Sequence, residues 1–389
     1  MKNRCLVFLV FLLFLALPAV SRAGSDTVSA LDYGARCDGK TDDTAAFQRA
    51  VDDSAMHGTQ LTFRGVCHVA ALAVPDGAAS FSLDGRGNTL VFSKGGLSLR
   101  NSGSGKATLY EIRNLRIETV SKSAAVALRL EGNVKGGIDA LTVEGFGTGI
   151  AIRNASDARI ARSFFRSPAG GRAISIAGTL DSARKPVAFA SNNDVTDVTV
   201  LHGTGVFLGP AVQGTKIRNL RVLEAQYGVF AESGPGDEDL SISESYLEGR
   251  KAGIFADGLP FLRIVDSSAD LPGSGADAHW AAFHLAGMFG GILSGSNVWG
   301  ASAAHSPVIV AGGNIAITGN QITGLTGGPC MALSPHTDRS RPPMLVADNT
   351  CWAAGGYRLM NEGGILGAHN LWSGTDNHSW KSVDFSPAD

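Results

Sequence analysis

The chain has 389 residues, a formal net charge of −2, 7% aromatic and 17% charged residues, and 50 glycines. That balance leaves no electrostatic footprint for nucleic acid or an anionic membrane surface, so neither is expected as a partner. The length exceeds one ordinary domain, but a repeat architecture over residues 24–389 absorbs it as one solenoid.

In chain order the first element is an export signal over residues 1–23. Lys2 and Arg4 give a basic start, Leu6 to Leu17 form an apolar run, and Ser21-Arg22-Ala23 supplies small residues for cleavage. The run is too short for a comfortable membrane span, and the expectation is a periplasmic or secreted protein, free of the membrane once the signal is removed. Cys5 leaves with the signal, and Cys37, Cys67, Cys330 and Cys351 remain, an even number suited to an oxidising compartment. Of three pairings the local ones, Cys37 with Cys67 and Cys330 with Cys351, are preferred; free buried thiols are the alternative, and the spacing does not suit zinc.

Residues Thr41 to His57 read as a capping helix inside an N-terminal cap over 28–70. Thr41 is the expected N-cap, Asp42 and Asp43 sit in the first turn, and Ala46, Phe47, Ala50 and Val51 share one face. Such a cap covers the open end of a solenoid, where strand edges and apolar interior are otherwise exposed.

A repeat follows. The form Gly-x-apolar-x-apolar, and its variants, places first apolar residues at 150, 174, 206, 229, 254, 283, 308 and 331, recurring every 23 to 32 residues. Leu97-Ser98-Leu99 and Val126-Ala127-Leu128 extend the series upstream. A second series, out of phase, ends in Asn297, Asn320, Asn349 and Asn370. Two strand types per period, each alternating with period two, predict an all-β, single-stranded right-handed parallel β-helix of about ten coils. The asparagines are read as turn residues that adopt the left-handed conformation and stack their amides from coil to coil.

The stretch Leu31-Asp32-Tyr33-Gly34-Ala35, followed by Asp38-Gly39-Lys40-Thr41-Asp42-Asp43-Thr44-Ala45-Ala46-Phe47-Gln48, resembles the N-terminal signature of the pectate-lyase-like superfamily. That resemblance implies a β-helix and an action on polysaccharides, and it is specific for fold rather than for reaction. Polygalacturonase-type hydrolases carry Asn-Thr-Asp, Asp-Asp and Gly-His-Gly motifs; here only His202-Gly203-Thr204-Gly205 comes near, without the aspartates. Ser334-Pro335-His336-Thr337-Asp338-Arg339-Ser340, followed by the strand ending in Asn349-Thr350, looks like the Asp-Pro-His motif of alginate C5-epimerases, with serine for the aspartate and Thr337 as an insertion. His336 is the residue that this likeness carries across, as a proton-abstracting base.

If the apolar pair of each repeat points inward, the outward row reads Ala151, Ser175, Phe207, Phe230, Phe255, His284, Ile309 and Ala332. Its phenylalanines are expected to offer a platform for sugar rings. Of insertions at 178–193, 267–280 and 334–343, the latter two are expected to gather Asp270, Asp277, His279, His336, Asp338, Arg339 and Arg341 at one end of this face. Proton abstraction beside a uronate carboxylate needs a base, a cation to hold the carboxylate and a proton donor. His336 suits the first role, Arg339 or Arg341 the second, and His284 or His279 the third, with Asp277 nearby. Tyr227, Glu248, Arg250 and Lys251 join Phe207, Phe230 and Phe255 as candidate substrate-binding residues. Asp257, Asp270, Asp277 and Glu248 are the carboxylates available for glycoside hydrolysis. Asp237-Glu238-Asp239 reads as a solvated loop; no run resembles a calcium loop, and no metal or other cofactor is expected. The expectation is an enzyme acting on an acidic polysaccharide by lyase or epimerase chemistry. An endo-hydrolase is the alternative, and a non-catalytic glycan-binding or surface-appendage β-helix the second.

Overall fold

The computed structural model describes residues 26–121, 125–232, 234–271, 281–300, 307–324, 328–338, 340–352, 356–360 and 363–373, with the backbone of 380–385. The segment 1–23 expected to be an export signal, Asp277, His279 and Arg339 lie outside the described residues. Strands pair in parallel with strands about one repeat later, as Ile150 with Ile174, Ile174 with Val206, Val206 with Val229, Val229 with Ile254 and Ile254 with Phe283. The chain is a right-handed parallel β-helix of about 12 turns rather than ten. The additional coils are at the start, on Thr27–Ser29, Gln60–Thr62 and Val66–Val69. They carry no Gly-x-apolar signature, which hides them from the repeat.

Each coil visits three sheets. The first includes Glu238–Ser243, Leu262–Val265, Gly291–Ser294 and Met344–Ala347. The second includes Ser268–Leu271, Asn297–Gly300, Gln321–Gly324 and Thr350–Trp352. The third is the expected first series: Thr148–Arg153, Arg172–Ala177, Thr204–Leu208, residues 227–231 and 252–257, Phe283–Met288, Ile309–Gly313 and Met331–Pro335.

A single residue with positive φ joins the first sheet to the second in coil after coil: Asp197, Asn219, Glu244, Asp266, Gly295, Gly319, Asp348 and His369. The residue after it points inward, and this is where the polar ladder forms. The Ser245, Ser267 and Ser296 hydroxyls accept the backbone N–H groups of Leu220, Ser245 and Ser267. The Asn320 side chain accepts the N–H of Ser296, Asn349 that of Asn320, and Asn370 that of Asn349. The amides also bond to one another, Asn320 to Asn349 and Asn349 to Asn370, both at 2.9 Å. Buried donors and acceptors are thus satisfied along the axis, as an interior requires. The expected ladder needs two corrections. The left-handed residue precedes the asparagine, and Asn297 is exposed while Ser296 takes its place in the ladder.

The helix spans Thr44–His57, so its N-cap lies two residues later than expected, because Asp38–Asp42 forms a strand paired with Val66–Val69. Asp43 stands at its N-cap but turns its carboxylate to the Arg36 and Cys37 N–H groups. Phe47, Ala50 and Val51 are buried as the pattern requires. At the other end the chain doubles back, with Trp380–Phe385 antiparallel to Ile365–Ser373, which covers the last parallel edge. Both local disulfides are present, Cys37–Cys67 in the cap and Cys330–Cys351 joining the third sheet to the second sheet of the next coil.

Candidate functional site

The outward row of the third sheet has the expected phase through His284. Val206 and Leu208, Val229 and Ala231, and Ile254 and Ala256 are buried, while Phe207, Phe230 and Phe255 between them are partly exposed. At the next coil the phase slips by one, since His284 pairs with Val310 and Ile309 is fully buried, and Ala332, in register with Val310, is again in the expected row. Three successive aliphatic residues, Val308-Ile309-Val310, give no polar residue to mark which one faces out.

In-register stacking brings the rings of neighbouring coils face to face. Phe207 and Phe230 lie 5.6 Å apart at an interplanar angle of 4°, Phe230 and Phe255 4.9 Å at 7°, and Phe255 and His284 4.6 Å at 10°. The Arg172 guanidinium closes the far end, 3.4 Å from the Phe207 centroid. This geometry corrects the expected platform. Each phenyl face is used by its neighbour, so the row offers solvent a ridge of ring edges, the positive part of the aromatic quadrupole. Among aromatic rings outside the ladder, Phe289, Phe261 and Trp299 are exposed.

Tyr227 meets Phe230 and Phe255 edge-on at 4.8 and 6.2 Å, with the Lys251 ammonium 5.6 Å from its ring. Burial raises the Tyr227 pKa and lowers that of His284, against the pull of Asp257, so both are neutral at pH 7. At the leading edge of the sheet, Arg250, His202, Glu224 and Gln226 line a groove of about 390 Å³. Glu248 lies on the second sheet beside this edge, in register with Asp270 on the next coil. The Asp270 pKa is raised by burial, opposed by a hydrogen bond from the Tyr246 hydroxyl.

The trailing edge carries the second group. The strand Met331–Pro335 ends at His336, whose Nε2 is 3.3 Å from the Arg341 guanidinium. Arg341 also lies 3.6 Å from the Asp338 carboxylate and 5.3 Å from the Phe289 centroid, and Phe289 is 6.2 Å from the His336 ring. Asp338 accepts hydrogen bonds from the Ser340 N–H and hydroxyl, which hold its pKa below the ordinary value. An arginine N–H can only donate, so in this contact Nε2 is the acceptor.

The structure does not bring His284 to His336. His284 shares its register, through Val310, with Ala332, four strand residues before His336, or roughly 13 Å along the strand. The described ends of the insertion at 267–280, Leu271 and Ala281, flank the leading edge, opposite to the 334–343 insertion. The sequence reading also misses Phe289 and Arg172. Phe289 sits in a Gly-Met-Phe-Gly-Gly run without a repeat signature, and its contact with His336 exists only through coil stacking. Asp237 departs from expectation too. It is 5% exposed, its carboxylate accepts the Val212 and Gly234 N–H groups, and burial pushes its pKa up to about 6.

No family model matches the chain, and no curated protein does. Among solved structures, the A-module of a mannuronan C-5 epimerase from Azotobacter vinelandii aligns over 89% of this chain and 99% of its own, with a TM-score of 0.59 and 14% identity. The catalytic unit of an α-1,3-glucanase from Streptomyces thermodiastaticus aligns over 88% and 69%, with a TM-score of 0.53 and 15% identity. PfbA, a surface adhesin of Streptococcus pneumoniae, aligns over 89% and 90%, with a TM-score of 0.51 and 14% identity. At such identities the likeness is one of architecture, and this chain is, with them, a right-handed parallel β-helix protein.

Proposed function

We propose that this chain is an exported enzyme that binds an acidic polysaccharide along its third sheet and removes the proton next to a uronate carboxylate, with His336 as base. The observation that carries this reading is the group at the trailing edge: an imidazole in contact with an arginine, beside an exposed phenyl ring. Arg341 offers its planar fork to the substrate carboxylate, which replaces the weak contact to Asp338 and releases Nε2 from its hydrogen bond. His336 then takes the proton from the carbon, and the guanidinium holds the enolate-like charge. Expulsion of the neighbouring glycosidic oxygen, which takes up a proton from the His336 imidazolium or from solvent, gives a lyase product, whereas reprotonation of the carbon from solvent on the other ring face gives an epimer. The disulfides suit an exported location, and an epimerase and a glucanase among the proteins of like fold fit polysaccharide chemistry.

The test is incubation with a panel of polyuronates, following unsaturated product by absorbance and epimer ratio by proton resonance. Wild type should turn over one of them, and His336→Ala should lose about 10²–10⁴-fold in rate. Arg341→Lys should lose at least tenfold, since an ammonium lacks the bidentate fork. Turnover that survives His336→Ala would sink the assignment.

A second reading rests on Glu248 and Asp270. They are adjacent in register, one coil apart at ~4.8 Å, close to the spacing of a retaining glycosidase pair, and the Asp270 pKa is raised. New reducing ends without unsaturation, abolished by Asp270→Asn, would favour this hydrolase.

A further inference from the structure

Arg172 closes the aromatic ladder with a charge, and the fold leaves its donors unused. One face of the guanidinium rests on Phe207 at 3.4 Å. Among the described residues no acceptor lies within hydrogen-bond or ion-pair distance of it; Glu232 acts on it only through space. A partly buried arginine without a partner is uncommon, because desolvating a guanidinium is costly unless its N–H groups are satisfied. The preceding coils supply Ser175, in register with Phe207, and Ala151, in register with Ser175. Both side chains are small and partly exposed, so neither row places a long side chain beside the guanidinium. Stacking fixes the plane of the fork before any ligand arrives, which lowers the entropy lost on binding.

We propose that Arg172, held flat on Phe207, is a second anion-binding subsite that takes a carboxylate of the same acidic chain whose reacting unit lies at His336 and Arg341. This rests on the acidic-polysaccharide reading above and adds a length requirement to it. From Phe207 the register passes through Phe230, Phe255, His284 and Val310 to Ala332, on the strand that ends at His336. Five coil steps at ~4.8 Å put Phe207 and Ala332 ~24 Å apart along the axis, and His336 lies a further ~13 Å along its strand, so the two subsites are roughly 27 Å apart on a line oblique to the axis. Only a polymer crossing the sheet obliquely fills both, and the gain is that of a second, intramolecular contact. A trisaccharide fills one.

The experiment is calorimetric binding to wild type and to Arg172→Met, which keeps an apolar cover on Phe207 and removes the charge. The probes are long polygalacturonate, polymannuronate, polyguluronate and hyaluronan, the matching trisaccharides, and a neutral glucan. For the polyuronate that wild type binds, Arg172→Met should weaken the long polymer about tenfold, flatten its salt dependence and leave the trisaccharide unchanged. Arg172→Lys should restore part of the salt dependence but not the full affinity, which separates the charge from the stacked fork. Equal affinity of wild type and Arg172→Met for the long polymer, with wild type still preferring polyuronates to glucan, would overturn the subsite and leave the function reading standing. An equal loss on polymer and trisaccharide would overturn the subsite as a remote contact. No binding of wild type to any polyuronate would overturn both.

Discussion

At the scale of single residues, burial decides which groups carry charge. Asp237 is the sharpest case, because its carboxyl is held inside and its pKa is pushed up to about 6. Its folded-state value lies above the unfolded value of about 3.9. The stability linked to it is therefore fully present below about pH 4 and is lost as pH rises through about 6, by on the order of 2–3 kcal/mol. Asp237→Asn cannot ionise, so its melting temperature should stay level across that window, relative to other titrations, while that of wild type declines. Parallel profiles for the two proteins would show that Asp237 is ionised throughout. The same logic reassigns His284. Its ring is desolvated against Phe255, which favours the neutral form and makes it a poor proton donor for a reaction at His336.

At the scale of elements, the third sheet owes its outer surface to what stacks beside what. Coil repetition turns Phe207, Phe230 and Phe255 from scattered aromatics into a ladder, each pair contributing about 0.5–1.5 kcal/mol beyond area burial. The loop that carries His336 is positioned by the next coil. The Gly364 N–H donates to the His336 carbonyl, and a Cβ on Gly363 would lie 2.5 Å from the Pro335 oxygen and 2.6 Å from the His336 oxygen. Gly363→Ala must push this turn aside. A displacement of about 1 Å can cost 10²-fold in rate, so turnover should drop by about that factor while the far-ultraviolet circular dichroism stays unchanged. Unaltered turnover would mean that the position of the His336 turn does not govern the reaction.

Elements also decide how much was legible in the sequence. Alternation with glycine at the turn locates the third-sheet strands and their phase as far as His284, because one aromatic between two aliphatics marks a side. The phase fails at Ile309, where three aliphatics mark nothing. The internal ladder is legible as repeated asparagines, but its serine rungs are not. Ser245, Ser267 and Ser296 are ordinary turn residues until the preceding left-handed residue is seen to point them inward. Of the candidate site, His336 and Arg341 come together as read, since they lie in one short loop. Phe289 and Arg172 stay hidden because each is defined by a neighbour on another coil.

At the scale of the whole molecule, the β-helix supplies a long face with two different edges. Arg250, His202 and the Glu248–Asp270 row border its leading edge, and Phe289, His336 and Arg341 its trailing edge. The proposed acidic polysaccharide is an extended ligand that would lie on this face, and the fold shared with an epimerase, a glucanase and an adhesin does not by itself assign a reaction. Proton abstraction is the step that separates the central reading from hydrolysis and from binding alone. It is tested most directly by incubating the protein with polyuronates in deuterated water and measuring deuterium at the carbon next to the carboxylate. The account predicts incorporation there, or loss of that hydrogen into an unsaturated product, with wild type but not with His336→Ala. Full retention of the hydrogen in every polyuronate that the protein cleaves or binds would contradict it.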